Sequence, residues 1–107
     1  MIKPSLYLSG PITGLADLNK PAFAAAAVQL RGMGFAVIDP HEIGEPAEHL
    51  LPWADYLKAD IIAMLTGAEA LALLPGWENS RGARLEVHIA EALGWEVELL
   101  SHWLDHP

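Results

Sequence analysis

Four short apolar runs, at residues 5–9 (SLYLS), 35–38 (FAVI), 70–74 (ALALL) and 96–100 (EVELL), alternate along the chain with three longer segments of helical spacing. The runs are too short to be helices and read as buried strands. The helical segments are residues 20–32, where Pro21 suits a first turn, residues 53–65, which end at Thr66-Gly67, and residues 81–93, stopped by Gly94. This β-α-β-α-β-α-β order constrains the fold more than any other feature. Strands apolar on both faces and joined by helices belong in a parallel sheet covered on two sides, with right-handed crossovers. The expected fold is therefore α/β, a small Rossmann/flavodoxin-like three-layer sandwich with a parallel sheet of four to five strands. Residues 41–52 carry prolines and a glycine without period and read as a loop, and a short polar, solvated tail is expected after the last strand.

A chain of 107 residues has room for one core, so a single domain over residues 1–107 is expected. Its formal charge of −8 repels polyanions and argues against a nucleic-acid polymer as partner. A mononucleotide is not excluded, since a few local donors can hold one phosphate. The absence of cysteine removes disulfides, thiolate metal sites and a cysteine nucleophile. No run approaches the roughly 18 apolar residues of a membrane span, and no signal-peptide core follows Met1-Ile2-Lys3-Pro4, so a cytoplasmic protein without a membrane partner is expected. His41, His49, His88, His102 and His106 show no metal-ligand spacing. Neither a metal nor a cofactor is expected.

In the third helix a step of roughly 100° per residue puts Ala83, Leu85, Val87, Ile89, Ala90, Ala92 and Leu93 on one broad face, with Arg84, His88 and Glu91 opposite. Glu86 falls in the middle of the apolar arc. In the second helix Asp60 shares its face with Trp53, Tyr56, Leu57 and Met64, while Asp55 and Lys58 project the other way. A carboxylate among apolar residues is costly, and burial tunes its pKa as a catalytic acid, base or nucleophile requires. Either acid alone could equally be a cap or an ion-pair partner. Together, on helices adjoining loops at the carboxyl edge of the strands, they are expected to converge on one pocket.

Two segments carry a resemblance: Tyr7-Leu8-Ser9-Gly10-Pro11-Ile12, and Leu74-Pro75-Gly76-Trp77-Glu78-Asn79-Ser80-Arg81-Gly82-Ala83-Arg84-Leu85-Glu86. They resemble the nucleoside 2-deoxyribosyltransferase superfamily, most closely its small DUF4406-type branch, over nearly the whole chain. The resemblance implies an enzyme that hydrolyses or transfers the N-glycosidic bond of a nucleoside or nucleoside 5′-monophosphate. It implies Glu86 as nucleophile at the anomeric carbon, Tyr7 as the residue orienting it, and Asp60 beside the base. Substrate contacts are expected from Ser9, Gly10, Ile12, Trp77, Ser80, Arg81 and Gly82. The transferases proper usually carry an aspartate at the position of Ser80; a carboxylate there repels a phosphate, whereas a serine at a helix N-terminus donates to one. The resemblance also implies a homodimer or higher homo-oligomer, with Ser101 or His102 reaching a neighbouring pocket.

Other readings weigh against these. Gly10 and Gly14 serve a turn as readily as a ligand. Trp53 and Trp77 are core or pocket-wall residues as readily as stacking platforms. A non-catalytic nucleotide-sensing module is the main rival to an enzyme, but a binder of an anionic ligand gains nothing from two acids in its pocket. The phosphoribohydrolase type with a Pro-Gly-Gly and Gly-Thr motif fits Pro75-Gly76-Trp77 poorly, and a pure protein-interaction domain would show itself as an exposed apolar patch.

Overall fold

The computed structural model describes residues 2–43 and 53–105. Met1, most of the loop expected at residues 41–52 (with His49), and His106 lie outside them. In chain order the elements are β1 (Leu6–Ser9), α1 (Lys20–Gly32), β2 (Val37–Ile38), α2 (Trp53–Gly67), β3 (Ala70–Leu73), α3 (Arg81–Ala92), β4 (Glu96–Leu99) and α4 (Leu100–Asp105). Short 3₁₀ turns occupy Ala16–Asn19, Pro40–Glu42 and Trp77–Asn79. The four strands form one all-parallel sheet in the order β2-β1-β3-β4, a small Rossmann-like sandwich.

Side-chain alternation along the two central strands splits the core into layers. Leu6, Leu8, Ala70, Ala72 and Leu74 pack against Phe23, Ala26, Ala27 and Leu30 of α1 and Trp103 of α4. Tyr7, Leu71 and Leu73 pack on the other side against Met64 of α2 and Val87 and Ala90 of α3. Every residue of β1 and β3 is buried, as a parallel strand between two helical layers must be. Gly10, just beyond β1, lies so close to β3 that a Cβ there would come within 2.8 Å of Leu74 Cβ. The first loop can therefore turn over the sheet edge only without a side chain at this position.

Three expectations need correction. The last strand is not apolar on both faces: among the described residues β4 pairs with β3 alone, and its Glu96 and Glu98 lie beside His102 at 3.8 and 3.7 Å. Charges suit such an edge, because they oppose pairing with another chain. The tail is not a solvated coil but the helix α4. Trp103 drives its docking: the indole is buried, donates from Nε1 to the Leu71 carbonyl at 2.9 Å, and meets Phe35 edge-on at 5.8 Å. On α3 the buried stripe is narrower than the wheel suggested. Ala83, Glu86, Val87 and Ala90 are buried, while Leu85 and Leu93 are 39% and 55% exposed, since a helix lying on a sheet covers only one side of itself. Among the described residues no helix is long and apolar enough to cross a membrane.

Trp103→Ala removes a buried aromatic and leaves the Leu71 carbonyl without its indole donor. It should destabilise the fold by about 3–5 kcal/mol, read as a lowered urea midpoint; a loss under about 1 kcal/mol would show α4 to be dispensable.

Candidate active site

The site begins with the parity of β1. Tyr7 and Ser9 are two residues apart, so both point to the α2 and α3 side of the sheet. Across that layer α3 starts at Ser80, whose Oγ accepts from the Ala83 N–H at 3.1 Å and caps the helix. Helical spacing from this cap puts Glu86 on the stripe of Ala83 and Ala90, facing β1. Tyr7 donates its hydroxyl to Oε2 of Glu86 at 2.8 Å, and Ser9 donates to Oε1 at 2.7 Å. Each carboxylate oxygen thus has one fixed donor, and the side chain is only 5% exposed.

Burial pushes the Glu86 carboxyl up to about 7, against the pull of the Ser9 and Tyr7 hydrogen bonds, and the negative charge of Asp60 adds to the rise. Burial likewise raises Asp60 to about 6. The Tyr7 phenol is held well above its ordinary range by burial first and then by the neighbouring Glu86 and Asp60, so it stays a hydrogen-bond donor. Two acids and a protonated phenol therefore share one poorly solvated space.

That space is a cavity of about 740 Å³, within the size range of small-molecule sites. It opens where the loops leave the carboxyl ends of β1 and β2, as parallel sheets favour. Tyr7, Gly10, Ile12, Asp60, Ser80, Arg81, Gly82 and Glu86 all line it, so eight of the residues singled out in the sequence come together. Ser9 stands behind Glu86 and does not line the wall. Trp77 is not at this cavity either: it packs beside the Tyr7, Leu71 and Leu73 layer and borders a separate groove with Leu99 and Leu104. The indole at the cavity is that of Trp53, with the Arg81 guanidinium stacked 4.6 Å from its ring centre.

Two more lining residues, His41 and Leu18, are not among the named site candidates, although the loop that begins at His41 is expected to form part of the wall. His41 follows β2 in the Pro40–Glu42 turn, where the Asp39 carboxylate accepts from its backbone N–H at 2.9 Å. Its ring stands edge-on to Phe23 at 4.9 Å, and its Nε2 is buried with no hydrogen-bond partner among the described residues. The sequence offered one clue, its place directly after a strand's carboxyl end, where site residues gather. Leu18 is the other. It belongs to a run, residues 17–19, in which Asp17, Leu18 and Asn19 all have positive φ, of 53°, 52° and 59°. A left-handed conformation comes readily to Asp and Asn but costs a leucine about 1–2 kcal/mol, and no sequence pattern announced three in succession.

Outside the cavity, Glu96, Glu98 and His102 bring three metal-type ligand atoms within 4.8 Å of one another on the surface. The turn from β4 into α4 creates this group, which histidine spacing alone did not show.

Residues 4–99 match the family described as Domain of unknown function (DUF4406). The chain belongs to this family. No curated protein matches it. The matched span of the DUF4406 chain includes all of β1, α2 and α3, and hence Tyr7, Asp60 and Glu86.

The raised Glu86 pKa fixes the sign of a pH effect. The folded state binds a proton more tightly than the unfolded chain, so folding stability falls as pH rises from about 4.5 to about 7. For Glu86 the loss corresponds to about 3 kcal/mol. Glu86→Gln should flatten this slope in urea unfolding between pH 4 and 8; an unchanged slope would place the titration elsewhere. Tyr7→Phe removes a bond to the ionised form and should move the Glu86 carboxyl ¹³C titration above that of the wild type.

Proposed function

We propose that this protein cleaves the N-glycosidic bond of a nucleoside 5′-monophosphate or nucleoside, by hydrolysis or by transfer to a second base, with Glu86 as nucleophile. The observation that carries this reading is the Glu86 carboxylate, fixed through both oxygens by Tyr7 and Ser9 in a cavity that a second acid, Asp60, also lines. The resemblance of residues 7–12 and 74–86 to the nucleoside 2-deoxyribosyltransferase superfamily supports it, because both segments contribute to the wall of that cavity.

The chemistry is a double displacement. A Glu86 oxygen bonds to the anomeric carbon as the C–N bond breaks, the bonding pair goes to the base, and Asp60, directly or through water, supplies the proton the base needs. Water, or a second base, then attacks the anomeric carbon. The glycosyl ester breaks, Glu86 is regenerated as a carboxylate, and the attacking group's proton returns to Asp60. Burial holds both carboxyls above the ordinary carboxylate range, Glu86 at about 7 and Asp60 at about 6. Positive charge developing on the sugar favours ionised Glu86, and negative charge developing on the base favours protonated Asp60, which are the forms the two roles require.

The phosphate preference rests on Ser80 and Arg81. The Ser80 oxygen accepts from Ala83, which leaves its hydroxyl proton to donate, and the α3 N-terminus and the Arg81 guanidinium lie on the same wall.

Purified protein incubated with ribo- and deoxyribonucleosides and their 5′-monophosphates should release free base, followed by chromatography. Glu86→Ala should abolish release, and Asp60→Asn should slow it by about 100-fold. Ser80→Asp keeps a good helix cap but sets a carboxylate against phosphate, so it should lower kcat/KM for monophosphates relative to nucleosides. Binding without release by any compound, with or without an acceptor base, would leave a nucleotide-sensing module in place of an enzyme.

A further inference from the structure

Leu18 is held in a strained left-handed conformation in the turn at residues 17–19, and no burial within that turn offsets the strain. The Ala16–Asn19 segment contains no buried residue, and Leu18 at its centre is 42% exposed. The turn is nonetheless built to a definite shape. Asn19 donates from Nδ2 to the Pro11 carbonyl at 2.9 Å, which closes the base of the loop. The Leu18 N–H bonds the Leu15 carbonyl at 3.0 Å, and the Leu15 N–H bonds the Ile12 carbonyl at 3.3 Å. Gly14, with a φ of 83°, has open space around it. The loop leaves β1 directly after Tyr7 and Ser9, the two residues that hold Glu86.

Leu15 and Leu18 are both large, apolar and exposed, at 45% and 42%, but only Leu18 lines the cavity. Backbone strain of this kind persists where the surroundings require it, and it gathers at ligand sites.

We infer that the strained turn serves to hold Leu18 at the cavity mouth as an apolar clamp, a specificity-determining contact that is buried only when the ligand is bound. The inference rests on the nucleotide reading above for the identity of the ligand. The clamp packs on an apolar face of the bound sugar or base, opposite the polar contacts of the α3 wall. The gain from covering Leu18 appears only in the complex, so its removal weakens binding and leaves the free fold intact.

The test is calorimetric binding of thymidine 5′-monophosphate, adenosine 5′-monophosphate and the parent nucleosides to the full chain in a Glu86→Gln background, where turnover does not interfere. Leu18→Ser should weaken binding by about tenfold at unchanged Tm, and Leu18→Met should restore it. Leu15→Ser, equally exposed on the same loop but off the cavity, should bind as tightly as the parent. Equal affinity for Leu18→Ser and the parent would overturn the clamp while leaving the nucleotide reading intact. An equal loss in Leu15→Ser would also overturn it, by showing a general loop effect. No binding by any of the four compounds would overturn both readings.

Discussion

A carboxylate placed in an apolar layer has to be held, and the hold on Glu86 determines how the rest of the structure is arranged. Both donors come from β1, one of the two central strands, so neither can shift without disturbing the sheet. Their spacing of two residues puts them on one face, and the pairing of Tyr7 with Leu71 and Ser9 with Leu73 surrounds them with leucine rather than water. A slip of one residue in β1 would send both hydroxyls into the α1 layer and leave Glu86 buried without a partner. The same contacts that specify the register of the sheet therefore also fix the carboxylate, and a group held on rigid elements in this way is preorganised for chemistry.

Two opposing influences meet at that carboxylate. Burial and Asp60 favour its protonated form, whereas Tyr7 and Ser9 favour the ionised one. The balance falls near neutrality, where a small change in nearby charge moves the proton. An acid fully satisfied by a cation would have its proton removed for good, and an acid without donors would keep it. Two neutral hydroxyls give an intermediate hold, weaker than an ion pair, which leaves the carboxylate responsive to whatever charge a ligand develops beside it.

Much of this was legible in the sequence because it depends on periodicity. The strand runs, the helix limits at Lys20 and Arg81, and the misfit of Glu86 and Asp60 on their apolar arcs all follow from local spacing. What stayed hidden depends on partners distant along the chain. The α4 helix exists because Trp103 finds Phe35 and the Leu71 carbonyl, neither of which is near it in sequence. Leu85 and Leu93 read as core because a wheel cannot tell how much of a helix its neighbours cover. Trp53, and not Trp77, reaches the cavity because the Trp77–Asn79 turn directs Trp77 towards the sheet and away from the loop edge. His41 and Leu18 belong to irregular segments, where no period carries information.

The cavity wall is accordingly of two kinds. One side, β1 and α3, holds the buried Tyr7, Ser9 and Glu86, tied by short hydrogen bonds, and it carries the proposed nucleophile. The other, the segments after β1 and β2 and the first turns of α2, presents Leu18, His41, Trp53 and Tyr56 from turns and exposed helix surface. Such a division lets residues on the second wall vary in size and polarity without disturbing the hold on Glu86. The proposed 5′-monophosphate, an anion, is compatible with a chain of charge −8. The positive potential needed is local, supplied by the α3 N-terminus and by Arg81 stacked on Trp53, and at ordinary ionic strength surface charges more than about 10 Å away are largely screened.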